Sequence, residues 1–324
     1  MSGPVAGSAG AAEGPLGELA LSRATVDRAV ERRADEEWLA RAWADPQTRV
    51  LAVSDSRVAV QEADGLYELA WLSPQEAPEG TRFLLGVDSD AVAYFGVSGE
   101  LVTPATPHGE WKALQLRQVG ADLSARDAGL LTHAVALANW HDTHAHCPRC
   151  GAPTVPHPAG HLTTCPVDGT EHFPRLDPAV IMLVIDPEDR LLLARNASWP
   201  AGRMSVLAGF VEPGESCEHA VAREVFEEAA IRVSHVEYLG SQPWPMPRSL
   251  MLGFRAQAAG GQVITVDQDE IGEARWFTRA ELLAAAQARE VTLAPTSSIA
   301  RRLIEYWYGA QLPDFGGPWG APVR

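Results

Sequence analysis

The 324-residue sequence predicts an α+β protein: a mixed sheet between helices in the C-terminal half, preceded by a cysteine-bearing insert and a β-rich N-terminal domain. Three observations predict it. Ala179 to Asp186 is a continuous apolar run, the pattern of a strand buried on both faces. Residues 209–231 pass from a Pro-Gly turn into a glutamate-rich helical pattern. The first hundred residues hold several short β-like stretches separated by Asp, Gly, Pro and Glu turns.

In chain order, residues 1–20 are a Gly, Ala, Ser and Pro tail of low complexity, expected to be disordered. Residues 21–120 form the β-rich domain. Within it, Ser22 to Ala44 has helical periodicity, and strands are expected at Arg49 to Val53, Arg57 to Val60, Tyr67 to Leu72, Phe83 to Val87 and Val92 to Val97. A linking helix occupies 121–145, with Ala125 to Trp140 as its body and Leu130, Leu131, Val135 and Leu137 available for burial. The cysteine insert covers 146–175 and the C-terminal domain 176–312, before a tail at 313–324. In that domain Arg190 to Arg195 pairs back on the first strand, and Met204 to Glu212 is a strand leading to the glutamates. Further strands lie around Val233 to Leu239, Ser249 to Ala258 and Ala274 to Phe277, with helices at Arg279 to Ala288 and Thr296 to Tyr308.

Composition narrows the function. The 26 Lys and Arg against 42 Asp and Glu leave a net charge of −16, which argues against broad electrostatic binding of duplex nucleic acid. An anionic substrate would have to be received through cations and a few placed basic groups. No apolar run reaches 18 residues and the N-terminus lacks a signal-peptide profile, so a cytoplasmic protein with no membrane partner is expected. Four cysteines, three of them clustered, are not a secreted disulfide framework.

The glutamate run supplies the chemistry. On a helix, Glu224, Glu227 and Glu228 share one face, because positions i, i+3 and i+4 are neighbours. Like charges at that spacing need solvent or a cation, and hard divalent ions such as Mg²⁺ and Mn²⁺ take carboxylate oxygens together with substrate phosphates. Val221, Val225, Phe226 and Ala229 form the opposite, packing face. Gly209 and Pro213-Gly214 mark a tight turn where backbone can approach a ligand, and Glu215 with Ser216 starts the helix.

The cysteine insert is a metal candidate of a different kind. Cys147 and Cys150 form a C-x2-C knuckle, and Cys165 falls at the spacing of a second knuckle whose last cysteine is replaced by Asp168. A structural Zn²⁺ site would close with Asp168 or with His172, both acceptable ligands. His144, His146, His157 and His161 lack ligand spacing and are expected to face solvent.

Residues 209–231 resemble the Nudix box: Gly209, Glu215, Arg223, Glu224, Val225, Glu227, Glu228 and Ile231 match it in register, and Ala230 stands where that family has a helix-ending glycine. The run SQPWPMPRS at 241–249 resembles the SQPWPFPxS signature of NADH pyrophosphatases within that superfamily. The cysteine ribbon directly upstream, the GFVEPGE form of the box and SIARRLI at 298–304 agree with the same family. The resemblance spans about residues 140–305. It implies a Nudix fold and metal-dependent hydrolysis of the diphosphate bond of NAD(H), giving nicotinamide mononucleotide and AMP, and extending to NAD-capped RNA.

Carried over, the resemblance implies that Glu224, Glu227, Glu228 and Glu270 bind Mg²⁺ or Mn²⁺. Glu228 or Glu227 then handles the attacking water, and Arg223 orients the glutamates. It implies that Phe173 and Phe210 sandwich the nicotinamide, that Gln242 and Ala300 contact the nucleotide, and that Trp244, with Ser249 beside it, reaches the substrate from the neighbouring subunit of a homodimer. Glu212, Glu215 and Glu273 are second choices for metal or water contacts. Two alternatives stand beside this reading: a Nudix hydrolase of ADP-ribose, diadenosine polyphosphates or oxidised nucleotides, and a non-catalytic zinc-ribbon binding module.

Overall fold

The computed structural model describes residues 14–104 and 110–313, so the two predicted tails lie mostly outside the described residues. These residues divide into two compact units, one of 21–176 with 244–248, the other of 14–20, 177–243 and 249–313.

The first unit contains a 3-10 turn at Val30–Arg32, then α1 (Glu36–Ala44), β1 (Arg49–Val53), β2 (Arg57–Ala63), β3 (Leu66–Leu69), β4 (Gly80–Val87), β5 (Ala93–Gly99), β6 (Lys112–Gln115), α2 (Leu116–Val119) and α3 (Ala125–Thr143). Its last part is a small ribbon of β7 (Val155–Pro156), β8 (Thr163–Thr164) and β9 (Glu171–His172). The helix expected over Ser22 to Ala44 forms only as α1. Ala29 turns the chain left-handed at φ 46°, and the Asp35 carboxylate accepts the Trp38 N–H, so the helix can start only there. One sheet runs β1-β5-β4 with β1 parallel to β5, and a second runs β3-β2-β6, antiparallel throughout. β6 is half-exposed and without apolar alternation, which left it unmarked in the sequence. The predicted apolar positions Leu130, Leu131, Val135 and Leu137 of α3 are buried with Leu51, Val58, Phe83 and Leu85.

The second unit runs β10 (Asp177–Ile185), β11 (Leu191–Asn196), β12 (Leu207–Phe210), α4 (Cys217–Ala229), β13 (Val233–Trp244), β14 (Ser249–Ala258), β15 (Ile271–Phe277), α5 (Arg279–Gln287) and α6 (Ile299–Tyr308). The continuous apolar run is β10, and its alternate residues point into two different cores. Val180, Met182 and Val184 pack with Ala220, Val221, Val225 and Ala229 of α4, while Ile181 and Leu183 pack with Leu282 of α5 and Ile299, Leu303 and Ile304 of α6. A strand without polar alternation is therefore a strand with helices on both faces. β10 is parallel to β14 and antiparallel to β12, which fills both of its edges. β11 pairs back on β10 at Ile185 and Leu191, as expected, and takes β15 as its longer antiparallel partner.

A correction concerns the N-terminal tail. Leu16 and Leu19 are buried in the core beside Ile181, Leu239 and Ile304. Burying a leucine contributes about 2 kcal/mol, and the Arg302 guanidinium donates to the Leu16 carbonyl at 2.8 Å, so packing and a hydrogen bond together hold the end of a stretch whose composition reads as disordered.

Candidate active site and metal-binding cluster

Helix α4 carries the acids. Ser216 caps it by accepting the His219 N–H, Val221 and Val225 bury one face, and Glu224, Glu227 and Glu228 line the other side. Phe226, expected on the packing face, is instead 45% exposed, with the Arg232 guanidinium 4.7 Å from its ring centroid. The helix ends where the chain departs from the Nudix pattern. Ala230 takes the left-handed cap at φ 56°, ψ 26°, and its N–H bonds to the Phe226 carbonyl.

Arg223 ties the cluster together. Its Nε and one terminal nitrogen donate to both oxygens of Glu215, at 2.9 and 2.8 Å; the other terminal nitrogen donates to Glu224 at 2.8 Å and Glu227 at 3.0 Å. It also donates to the Phe210 carbonyl at 2.9 Å, fixing the end of β12 to the helix. The bidentate arginine holds Glu215 down to about pKa 2. Glu228 has the opposite environment. It is 9% exposed, its Oε2 has no hydrogen-bond partner, and burial, followed by the charges of Glu224, Glu270 and Glu227, pushes its pKa up to about 8. Burial also raises Glu224, opposed by Arg223.

Gly209 leaves room for the Glu224 carboxylate, which a Cβ there would displace. Glu270 comes from the turn before β15, in a segment held by the Ala197 N–H donating to its carbonyl at 2.7 Å. The sequence did not mark the residues that shape this turn. Arg195 donates to the Trp199 carbonyl at 3.0 Å, and its guanidinium lies where a side chain at position 272 would be, which Gly272 leaves open. The only trace of this in the sequence is a lone glycine inside a strand.

The other anticipated residues divide. Phe210, at the end of β12, is 59% exposed in the second unit, and Ser249 begins β14 opposite Asp177, at the same end of the sheet. Phe173 is 65% exposed in the first unit, a large exposure for an aromatic ring. Trp244 is partly buried against the first unit's core. Gln242 and Ala300 are interior, and the Gln242 amide donates to the Ser297 carbonyl at 3.0 Å. Glu273 faces solvent and pairs with Arg275 at 3.7 Å, while Glu212 is exposed in the turn before α4.

In the ribbon, Cys147, Cys150, Cys165 and Asp168 bring one donor atom each to within 4.8 Å of one another. Two like-shaped knuckles present them: Gly151 N–H bonds to the Cys147 carbonyl and Gly169 N–H to the Cys165 carbonyl, with both glycines at positive φ. Asp168 thus occupies the place in the second knuckle that Cys150 has in the first. The Thr170 N–H and hydroxyl hold its carboxylate down to about pKa 2, so it presents an anion. Three thiols and a carboxylate converging this closely fit the donor chemistry of Zn²⁺. His172 stands beside Cys147 but outside that set. Of the four histidines expected in solvent, His161 is a correction: it bonds to the Leu84 carbonyl at 2.8 Å, and burial pushes its pKa down to about 4.

Comparison with known proteins matches three regions of the chain. Residues 175–295 match the NUDIX domain family, 47–140 the NADH pyrophosphatase-like rudimentary NUDIX domain, and 142–173 the NADH pyrophosphatase zinc ribbon domain. The chain is 43% identical over 296 residues to the NAD-capped RNA hydrolase NudC of Mycobacterium bovis, covering 89% of this chain and 94% of that protein. The chain belongs to the NADH pyrophosphatase family of Nudix hydrolases. A second member, NudC of Mycobacterium tuberculosis, is 42% identical over the same coverage, and human NAD-capped RNA hydrolase NUDT12 is 36% identical over 77% of this chain and 55% of its own. Membership accounts for the order of the parts: a copy of the fold without the glutamate helix, a ribbon, then the copy that carries the acids.

Proposed function

We propose that this Nudix hydrolase cleaves the diphosphate bond of NAD(H), with water as nucleophile, to nicotinamide mononucleotide and AMP, and that it acts likewise on NAD joined to the 5′ end of RNA. The observation that carries this is the buried Glu228 carboxyl group, its Oε2 without a hydrogen-bond partner, set among Glu224, Glu227 and Glu270 in a family whose relatives are named for NAD-capped RNA hydrolysis. A carboxyl group with that neighbourhood fits hard divalent cations, and Mg²⁺ or Mn²⁺ would be held by these four glutamates. Such a cation, when bound, neutralises the two phosphates and makes water more acidic. Glu228, or Glu227 beside it, takes the water's proton as oxygen attacks phosphorus; one P–O bond forms, the bridging P–O bond breaks, and the leaving phosphate oxygen takes up a proton. Arg223 does not touch substrate in this scheme. It fixes Glu215, Glu224 and Glu227 in one arrangement, which is the positioning that phosphoryl transfer depends on.

Phe210 offers an exposed ring face for the nicotinamide at the end of the sheet where Ser249 begins its strand; the family resemblance adds Phe173 for the same ring, Gln242 and Ala300 for the nucleotide, and Trp244 from the neighbouring subunit. Cys147, Cys150, Cys165 and Asp168 bind a structural Zn²⁺. The working form is a cytoplasmic homodimer. Chromatography after incubation with NADH, NAD⁺ or ADP-ribose plus Mg²⁺ or Mn²⁺ tests the reading: nicotinamide mononucleotide with AMP is expected, and cleavage of ADP-ribose alone sinks it. Elemental analysis should find roughly stoichiometric zinc, absent after Cys165→Ser.

A further inference from the structure

The N-terminal copy of the fold keeps the strands and lacks the acids, yet it holds one segment from the other half of the chain. Residues 244–248, the Trp-Pro-Met-Pro loop between β13 and β14, group with the first unit. Trp244 and Met246 pack against the core that contains Leu130 and Leu131 of α3. A proline-rich loop offers few handles, because Pro245 and Pro247 have no N–H; only their carbonyls can be bonded. Asn139, in the last turns of α3, takes both. Its Nδ2 donates to the Pro245 carbonyl at 2.7 Å and to the Pro247 carbonyl at 3.3 Å, while its Oδ1 accepts from the Ser56 hydroxyl at 2.8 Å. Two carbonyls on one side allow only the amide nitrogen to face them, so the side-chain orientation is determined by its partners. Next to the loop lies a cavity of about 470 Å³ lined by Ser56, Arg117, Asn139, Met246 and Pro247, among others, which gives the loop room to shift once those bonds are lost.

We propose that Asn139 is a positioning residue for substrate discrimination: by gripping two carbonyls of the Trp244–Pro247 loop, it sets that loop for reading the nicotinamide half of the dinucleotide. The rudimentary domain then has a definite task, as the seat of a specificity loop. This rests on the proposed reading of the Trp244 loop as part of the substrate wall.

Asn139→Asp tests it in the full chain. The change keeps shape and the Ser56 contact but turns an oxygen toward both carbonyls. With Mn²⁺ present, KM for NADH is expected to rise about tenfold or more while kcat changes less than about threefold. ADP-ribose, which has the diphosphate without the nicotinamide, should keep its KM. Amide hydrogen exchange at Trp244, Met246, Arg248 and Ser249 should speed up, and Ser56→Ala, which spares both donors, should shift the NADH KM less than about threefold. If Asn139→Asp does not fold, Asn139→Ala removes the donors without repulsion and is read in the same way. An unchanged ratio of NADH to ADP-ribose KM, a fall in kcat matching the rise in KM, or unchanged loop exchange overturns the proposal. A wild-type enzyme that makes no nicotinamide mononucleotide from NADH instead sinks the functional reading itself, which the same wild-type control reveals.

Discussion

The two units share one scheme of strands. In the first, β1 lies parallel to β5, β5 beside β4, and β2 antiparallel to β6; in the second, β10 lies parallel to β14, β14 beside β13, and β11 antiparallel to β15. They differ in what joins the third strand to the fourth. Between β12 and β13 stands α4 with its glutamates, whereas residues 70–79 between β3 and β4 form no helix. The third strand changes partner as well: β12 pairs with β10, at the sheet's centre, and β3 pairs with β2. In this protein a repeated framework is therefore compatible with an acid site in one copy and none in the other, and the difference lies in one connection.

The sharpest way to break that contrast is to neutralise an acid in each connection. Glu228→Gln should lower metal-dependent turnover about a thousandfold, whereas Glu76→Gln, in residues 70–79, should change it less than about twofold; steady-state rates on NADH decide. Next in size is Gly209→Ala. The added methyl displaces a Glu224 carboxylate that Arg223 holds in place, so turnover should fall roughly a hundredfold and divalent-ion affinity with it, at little change in Tm.

The third expectation concerns pH. Glu228 titrates near 8 when folded, against an ordinary value of 4.5, so between those values the folded chain keeps a proton that the unfolded chain has released. Stability without divalent metal must then fall as pH rises through that window, by about 2–4 kcal/mol, and level off above it. Thermal unfolding in chelator near pH 5 and near pH 8 checks this. Glu228→Gln should flatten the profile, and excess Mn²⁺ should restore stability at the upper end. The smallest effect is at the helix end: Ala230→Gly relieves a left-handed alanine and should add about 1 kcal/mol, roughly 2 °C in Tm.

What was legible in the sequence follows the range of the forces involved. The α4 face was readable because helical geometry alone puts Glu224, Glu227 and Glu228 together, and β10 because a strand covered on both faces must be apolar throughout. The second knuckle was readable from spacing, although which of Asp168 and His172 stands among the thiols needed the folded turn around Gly169. Asn139, Arg195 and Gly272 were not readable. Each works through main-chain partners far away in sequence or through space left empty, and neither leaves a periodic mark. His161 and Phe226 exchanged their expected environments for the same reason, since burial of a single side chain depends on neighbours that local pattern does not name.

The burial of Leu16 and Leu19 has a consequence for biosynthesis. Ribosomes deliver those two side chains well before β10 and β13, and Ile304 of α6 later still, so the core of the hydrolytic half is assembled from stretches that emerge at widely separated times. Cutting the chain once, after the ribbon, would leave that half with a hole the size of two leucines. The part that performs the chemistry is built from stretches that are not contiguous in the chain.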